Sequence, residues 1–388
     1  MERAVDIIVG VCTKNCDNTV AGVIKAVDQG LTRFFPERRA LIVISDGFST
    51  DCTEENSRAA ETTTEVFFTL QTGGPGKGNG VRTIIEIARD RGAAAVALVD
   101  GDLTSIEPEW IERLAGPILA RKDLVVPYYL RHHCDGVITN QIAFPLTNVL
   151  FGIGVRQPIG GEYGLSARLL ERLLSHELLP EDFGIDIFIA LVAEAEKMEI
   201  VEAVLGVKEH ESTKQYADPE KLLVPMFYQV VGTLFRLINY YRDHIEIVHR
   251  TDHGIRPVER LGEMPDKRPG VVTVDQADLL QRFQRKYNEL MGENAAFLGE
   301  LREDLDRIAA SELEHYSFPL PLWVKAVYFA IDAFSVNEDL KVLDALRVLW
   351  QGRFLGLVRE TDALSNEEAE AYIQGQISAF EEHRSVFI

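Results

Sequence analysis

Along the first half of the chain, short unbroken apolar runs alternate with longer segments whose apolar residues recur every three or four positions. The runs Asp6–Val11, Ala40–Ser45, Glu65–Leu70, Ala94–Asp100 and Leu124–Leu130 predict strands. Thr19–Gln29, Cys52–Glu61, Gly80–Arg91 and Pro108–Ala120 predict the helices between them. Another strand is expected over Ile200–Gly206, preceded by a helical run from Ile187 to Ala195. Several of the strands are apolar without alternation, as happens when helices cover both faces of a sheet. The pattern therefore predicts an α/β fold with crossover helices. In open sheets of this kind ligands lie beyond the carboxyl ends of the strands, which directs attention to the residues that follow each run.

After about residue 215 the period changes. Phe283, Tyr287, Leu290, Phe297, Leu301, Leu305 and Ile308 follow helical spacing with a break expected near Gly292. Trp323, Val327, Ile331 and Phe334 form a second stripe, opened by Pro319 and Pro321. Such stripes are read as core, because a helix buries one face against its neighbours. The Pro- and charge-rich stretch Arg256–Gly270 is expected to be a loop between helices. The expected division is a domain over 1–215 and a mainly helical C-terminal domain over 216–388.

Composition narrows the class. The 388 residues are 46% hydrophobic and 26% charged, which suits a globular protein with substantial cores. Lys plus Arg number 40 against 61 Asp plus Glu, a formal charge of −21. That balance opposes non-specific nucleic-acid binding, and an anionic substrate must be held by a local cluster of cations or backbone N–H groups. The apolar stretch Ile142–Val155 contains Pro145, Asn148 and glycines and is too short to span a bilayer. Cys12, Cys16, Cys52 and Cys134 show neither a CxxC pair nor a disulfide framework, so free thiols and a cytoplasmic location are expected.

The strongest chemical signal is Asp100-Gly101-Asp102 at the end of a predicted buried strand. Two carboxylates one residue apart in extended backbone share a side, and a divalent cation carrying phosphate oxygens would compensate them. The bland alternative is a solvated turn. Gly73-Gly74-Pro75-Gly76-Lys77-Gly78-Asn79-Gly80 follows another strand and lets backbone and Lys77 approach a phosphate. It is not a Walker A loop, since Gln71 and Gly78 stand where glycine and Ser or Thr are required. Ser45-Asp46-Gly47-Phe48-Ser49-Thr50-Asp51 also follows a strand; Asp46 is suited to a nucleoside, and Ser49 or Asp51 to capping a helix. Further on come Gly160-Gly161-Glu162, Asp186 at the head of a helical run, and Lys208-Glu209-His210-Glu211 after a strand. His210 is a candidate third metal ligand through its neutral imidazole.

These pieces, in this order, resemble the retaining GT-A glycosyltransferases that make glucosylglycerate, mannosylglycerate and glucosyl-3-phosphoglycerate. The match rests on Ser45-Asp46-Gly47 with Ser49-Thr50-Asp51, Gly76-Lys77-Gly78, Asp100-Gly101-Asp102-Leu103, Gln157-Pro158-Ile159-Gly160-Gly161-Glu162-Tyr163, Gly184-Ile185-Asp186 and Glu209-His210. The helical tail is similar to that of the mannosylglycerate synthase branch. The resemblance implies a GT-A (Rossmann-like) nucleotide-sugar-binding domain with a C-terminal helical domain. It implies donor-binding roles for Thr13, Asn15, Asp46, Lys77, Asp100, Ile159, Gly160 and Gly161, with Mg²⁺ or Mn²⁺ on Asp102 and His210. Asp186, Glu162 and Lys77 would serve the reacting centre, and Arg131, Gly136, Thr139 and Asn140 would bind the acceptor.

The partners so implied are a UDP- or GDP-hexose, with glucose favoured, and a small acid, with no nucleic acid and no membrane; the enzyme would be a homodimer making a compatible solute. The chain departs from the family after its first strand, where Asn15-Cys16-Asp17 replaces the Asn-Glu-Glu of many members. It also carries Asp135 where the phosphoglycerate branch has a basic residue. A carboxylate there repels phosphate while Arg131 suits a simple carboxylate, which favours D-glycerate over 3-phosphoglycerate. The competing readings are transfer to 3-phosphoglycerate or another acceptor, an inverting transferase for a lipid or polymer, a nucleotidyltransferase, and an inactive sugar-nucleotide-binding scaffold.

Overall fold

The computed structural model describes residues 5–210, 220–250, 254–266 and 269–384. They fall into two compact units, one within Met1–Leu130, Gly154–Thr233 and Pro257–Arg268, the other within Arg131–Ile153, Leu234–Arg256 and Pro269–Ile388. The units thus interleave along the chain, where a single cut after residue 215 was expected; that position itself lies outside the described residues.

The first unit is built on an eight-stranded sheet: β1 (Ile7–Thr13), β2 (Ala40–Asp46), β3 (Glu65–Leu70), β4 (Ala95–Asp100), β5 (Leu124–Leu130), β6 (Tyr163–Ser166), β7 (Ile200–Val207) and β8 (Glu259–Leu261). Their order across the sheet is β8-β7-β5-β6-β4-β1-β2-β3. Neighbours are parallel except β6, which runs antiparallel between β4 and β5. The register sets Cys12 beside Asp100 and Thr13 beside Asp46, so the carboxyl ends of β1, β2 and β4 open at one edge.

The predicted strands and helices reappear with small shifts, because continuous Val/Ile/Leu runs are stable only when covered on both faces. Val9, Val11, Ile24, Ile42, Val99, Trp110 and Ile111 share one core. Each large aliphatic side chain so buried contributes on the order of 1.5–3 kcal/mol. Two strands of this sheet were not anticipated. β6 is a four-residue strand that follows directly on Gly160-Gly161-Glu162, and β8 lies within Arg256–Gly270, which was expected to be a loop between helices. β8 is fixed by its parallel register with Val201–Ala203 and by Arg260, whose guanidinium donates to Glu202 Oε2 at 2.8 Å and 2.9 Å. Glu202 is itself buried, so that pairing compensates a charge held away from water.

The second unit is helical among its described residues. Its helices include Phe144–Phe151, Gln276–Leu290, Leu320–Asn337, Leu340–Thr361 and Asn366–Glu382. The stripe Trp323, Val327, Ile331 and Phe334 is buried as its spacing predicts. The break expected near Gly292 appears as the 3₁₀ segment Glu293–Leu301 between two α-helices. The apolar run that begins at Ile142 belongs here because its partners are distant in sequence. Phe144 packs with Leu357 and Ile373, and Trp323 Nε1 donates to Gln141 O at 3.1 Å. No described helix is long and apolar enough to cross a membrane.

Candidate active site

The ends of β1, β2 and β4 each deliver one residue to the open edge: Thr13, Asp46 and Asp100. Asp46 is buried and turned into the loop that follows it. Its carboxylate accepts from Thr13 Oγ1 at 2.8 Å, Ser49 Oγ at 2.6 Å and Ser49 N at 2.8 Å. Asn15, in the left-handed region at φ 51°, donates its amide to Ser49 Oγ at 2.8 Å and accepts Thr50 N on Oδ1 at 2.9 Å. Thr13, Asn15 and Asp46 thus form one braced pair of loops. Ser49, which sequence reading treated as a capping residue, is the piece that joins them.

A second group gathers around Asp100. Lys77 opens the helix Lys77–Asp90, and its ammonium lies 3.0 Å from Asp100 Oδ1 and 3.3 Å from Asp186 Oδ1. The glycines before and after Lys77 are required by close approach. A Cβ on Gly76 would stand 2.2 Å from Glu181 O, and one on Gly78 2.1 Å from Pro180 O. That contact seats the loop against residues 180–182, directly ahead of the helix that carries Asp186. Lys208, at the end of β7, places its ammonium 3.2 Å from Asp100 Oδ2, 2.9 Å from Gly160 O, and 2.8 Å and 2.7 Å from the two oxygens of Glu162. Tyr129, from β5, donates its hydroxyl to Glu162 Oε2 at 2.5 Å. The result is a chain of alternating charge, Asp186–Lys77–Asp100–Lys208–Glu162.

Gly161 sits in the bend of that chain at φ 101°. A Cβ there would be 2.7 Å from Lys208 Nζ and 3.0 Å from Asp100 Oδ2, so only glycine leaves the charges in place. A Cβ on Gly160 would stand 2.2 Å from the ring of Pro127, and Ile159 beside it is half-buried.

A third group is Asp100, Asp102 and His210. An isolated antiparallel bridge between Leu103 and His210, with Thr104 N donating to Glu209 O at 3.0 Å, brings the segment after β7 against the DGD turn. His210 Nδ1 lies 3.8 Å from Asp102 Oδ1, and each of the three residues offers a ligand atom within 4.8 Å of the others. Two carboxylate oxygens and one imidazole nitrogen suit a divalent cation of the Mg²⁺ or Mn²⁺ kind.

Electrostatics follow from burial and these pairs. Burial alone would push the Asp100 carboxyl up, but Lys77 and Lys208 hold it far below the usual range. Burial raises Glu162 to about 7, with Lys208 opposing and Asp100 assisting. Burial raises Asp186 as well, against the pull of Lys77. Burial would lower Lys77, yet Asp100, Asp186 and Glu162 raise it well above its ordinary value, so it stays cationic. His210 is lowered by burial and by Lys208, which favours the neutral, ligating imidazole. Burial pushes the nearby Cys12 thiol up to about 12, which removes it as a nucleophile.

The four expected acceptor residues form a separate cluster within the second unit. Arg131 Nη1 pairs with Asp135 Oδ2 at 3.4 Å. Asn140 Nδ2 donates to Asp135 O at 2.9 Å, and Gly136 O accepts Asn140 N at 2.9 Å. Thr139 and Asn140 open a π-helical turn, Thr139–Ala143, a form found often at functional positions. Sequence reading missed the role of Lys208. Its signal was the spacing: Lys208 and His210 are two apart at a strand end and so share a side.

A parallel-dominated sheet, paired aspartates at the end of its fourth strand and a glycine-flanked lysine beside them define a GT-A glycosyltransferase. The family model described as "Mannosylglycerate synthase, GT domain" matches residues 11–231, more than half of the chain, and the protein belongs to that family. Among solved structures it is similar to glucosyl-3-phosphoglycerate synthase from Mycobacterium tuberculosis in complex with Mn²⁺, UDP and glucosyl-3-phosphoglycerate. That match has 25% identity and a TM-score of 0.49, covering 60% of this chain and 80% of that one. The same synthase with Mn²⁺, UDP-glucose and phosphoglyceric acid matches at 25% identity and TM-score 0.48, covering 60% and 79%. A further mycobacterial protein matches at 26% identity and TM-score 0.49, covering 60% and 74%. No curated protein matches the chain.

Proposed function

We propose that the protein moves a hexose, with glucose the first candidate, from a nucleoside-diphosphate sugar to D-glycerate with retention at the anomeric carbon. The observation that carries this reading is the joining of two groups through Asp100: the Lys77–Asp100–Lys208–Glu162 chain and the Asp102–His210 pair. Asp102 and His210, with Asp100 in reach, would hold Mg²⁺ or Mn²⁺. When bound, the cation supplies charge compensation for the departing diphosphate. Lys77 supplies a fixed positive charge for the same purpose. Gly160 and Gly161 present backbone rather than side chains to the sugar.

Retention without a covalent intermediate is supported by where the carboxylates are spent. Glu162 is gripped by Lys208 and Tyr129, and Asp186 by Lys77, so both are engaged as charge partners. The acceptor hydroxyl then attacks the face the diphosphate leaves and gives its proton to the departing phosphate oxygen. Arg131 is suited to the acceptor carboxylate, and Asp135 beside it opposes a phosphate. All four cysteines are free thiols, and we place the reaction in the cytoplasm.

The test is nucleotide release from UDP- and GDP-hexoses, with D-glycerate or 3-phosphoglycerate, with and without Mg²⁺ or Mn²⁺. The expected result is release that requires glycerate, cation and one donor, with the product keeping the donor's anomeric configuration by NMR. An inverted product rejects the mechanism. Turnover with 3-phosphoglycerate alone rejects the acceptor.

A further inference from the structure

A second cluster of metal-binding side chains lies apart in chemistry from the aspartates. His132, His133 and Cys134 each offer one ligand atom, and the three atoms lie within 4.8 Å of one another. A tight turn gathers them, closed by Asp135 N donating to His132 O at 2.8 Å. The two imidazoles are stacked with centroids 4.2 Å apart and planes 29° from parallel. His133 Nδ1 lies 3.2 Å from Asn366 Oδ1, the kind of contact that orients a ligating ring through its other nitrogen. Cys134 is buried while both imidazoles are half-buried, so an ion would sit where water reaches the rings but not the sulfur.

The donor set decides the ion. Two imidazole nitrogens and a sulfur select a borderline metal such as Zn²⁺ and discriminate against Mg²⁺ and Mn²⁺, which prefer oxygen. We propose that His132, His133 and Cys134 form a binding site for a zinc-class divalent ion, independent of the Asp100–Asp102–His210 group. Coordination replaces the thiol proton, which leaves to solvent, so ion uptake releases protons; no electron transfer is involved. A fourth position stays open to water or an added ligand. Because Arg131, Gly136, Thr139 and Asn140 flank this turn, the ion would set the conformation from which they project. The site itself does not depend on the glycerate reading.

Co²⁺ added to the metal-stripped full chain is the probe, since thiolate coordination gives a near-ultraviolet charge-transfer band. We expect the band in the wild type and in Asp102→Ala, and its loss in Cys134→Ser. Calorimetric titration with Zn²⁺ should show at least about ten-fold weaker binding in His132→Ala and His133→Ala. Should Cys134→Ser fail to fold, His133→Ala carries the test alone, with circular dichroism as its control. Co²⁺ binding without a thiolate band overturns the proposal. So does a band that survives Cys134→Ser, or one abolished by Asp102→Ala while the His133→Ala protein keeps it.

Discussion

Replacing Lys208 by Met keeps most of the side-chain volume and removes one charge from the middle of the site. In the wild type that ammonium touches both oxygens of Glu162, at 2.8 Å and 2.7 Å, with Glu162 fully buried. At about 3 Å and an effective dielectric near 20, the lost attraction is on the order of 5 kcal/mol. The stranded carboxylate escapes most of this by taking up a proton. Removing an opposite charge at this range raises a carboxyl by about 1–3 pH units, which takes Glu162 from about 7 to about 8–10.

The sign of the effect on stability follows. The unfolded chain ionises this glutamate at its ordinary value of 4.5, whereas the folded chain holds the proton longer. Stability from this group is therefore present below 4.5 and is lost as pH rises to the folded value. In the wild type that loss ends near 7; in Lys208→Met it continues toward 9. The slope is about 1.4 kcal/mol per pH unit, or about 3 kcal/mol between pH 7 and 9. Urea unfolding at pH 7, 8 and 9 reads this directly, and Glu162→Gln on the Lys208→Met background should flatten the curve again. If wild type and Lys208→Met lose stability in parallel, Lys208 does not hold the charge of Glu162 and the reasoning fails.

Three further outcomes are expected. Asp102→Ala and His210→Ala should each lose Mn²⁺ affinity and at least about a hundred-fold in turnover, checked by calorimetry and nucleotide release. Gly161→Ala forces a Cβ onto Lys208 and Asp100 at positive φ; it should destabilise the fold by about 1–3 kcal/mol in urea titration. Arg131→Ala should raise KM for the acid acceptor by about ten- to a hundred-fold while leaving nucleotide-sugar affinity unchanged, and Arg131→Lys should recover only part of the loss.

The sequence was most legible where chemistry is local. The DGD pair was visible because a continuous apolar strand ends on it and its two carboxylates are one residue apart. Lys77 was visible because glycines flank it. Lys208 was not, since its meaning depends on Glu162, Gly160 and Asp100, which lie 46, 48 and 108 positions away along the chain. β6 was hidden because Tyr163-Gly164-Leu165-Ser166 is too short to show a period, and only its partners on β4 and β5 make it a strand. The interleaving of the two units was hidden for the same reason. The stretch Ile142–Val155 read as a short apolar run, and what assigns the part up to Ile153 to the second unit is contact with helices about two hundred positions later.

One consequence of the site's charge reaches back to the composition. Among the described residues, and counted as ionised, the four carboxylates of Asp100, Asp102, Glu162 and Asp186 gather with the two ammoniums of Lys77 and Lys208, two more negative charges than positive. The whole chain adds to this with its −21. A nucleoside diphosphate is repelled by such a site until a divalent cation restores neutrality, so cation and donor should bind with strong positive coupling. Asp102→Asn removes one of the two excess charges without changing shape. At pH 8, where Glu162 is ionised, it should bind the nucleotide in EDTA about ten-fold more tightly than the wild type does, although it cannot turn over. Calorimetry in EDTA decides the matter. Equal, weak binding by the two proteins would mean that the cation acts by geometry and not by charge.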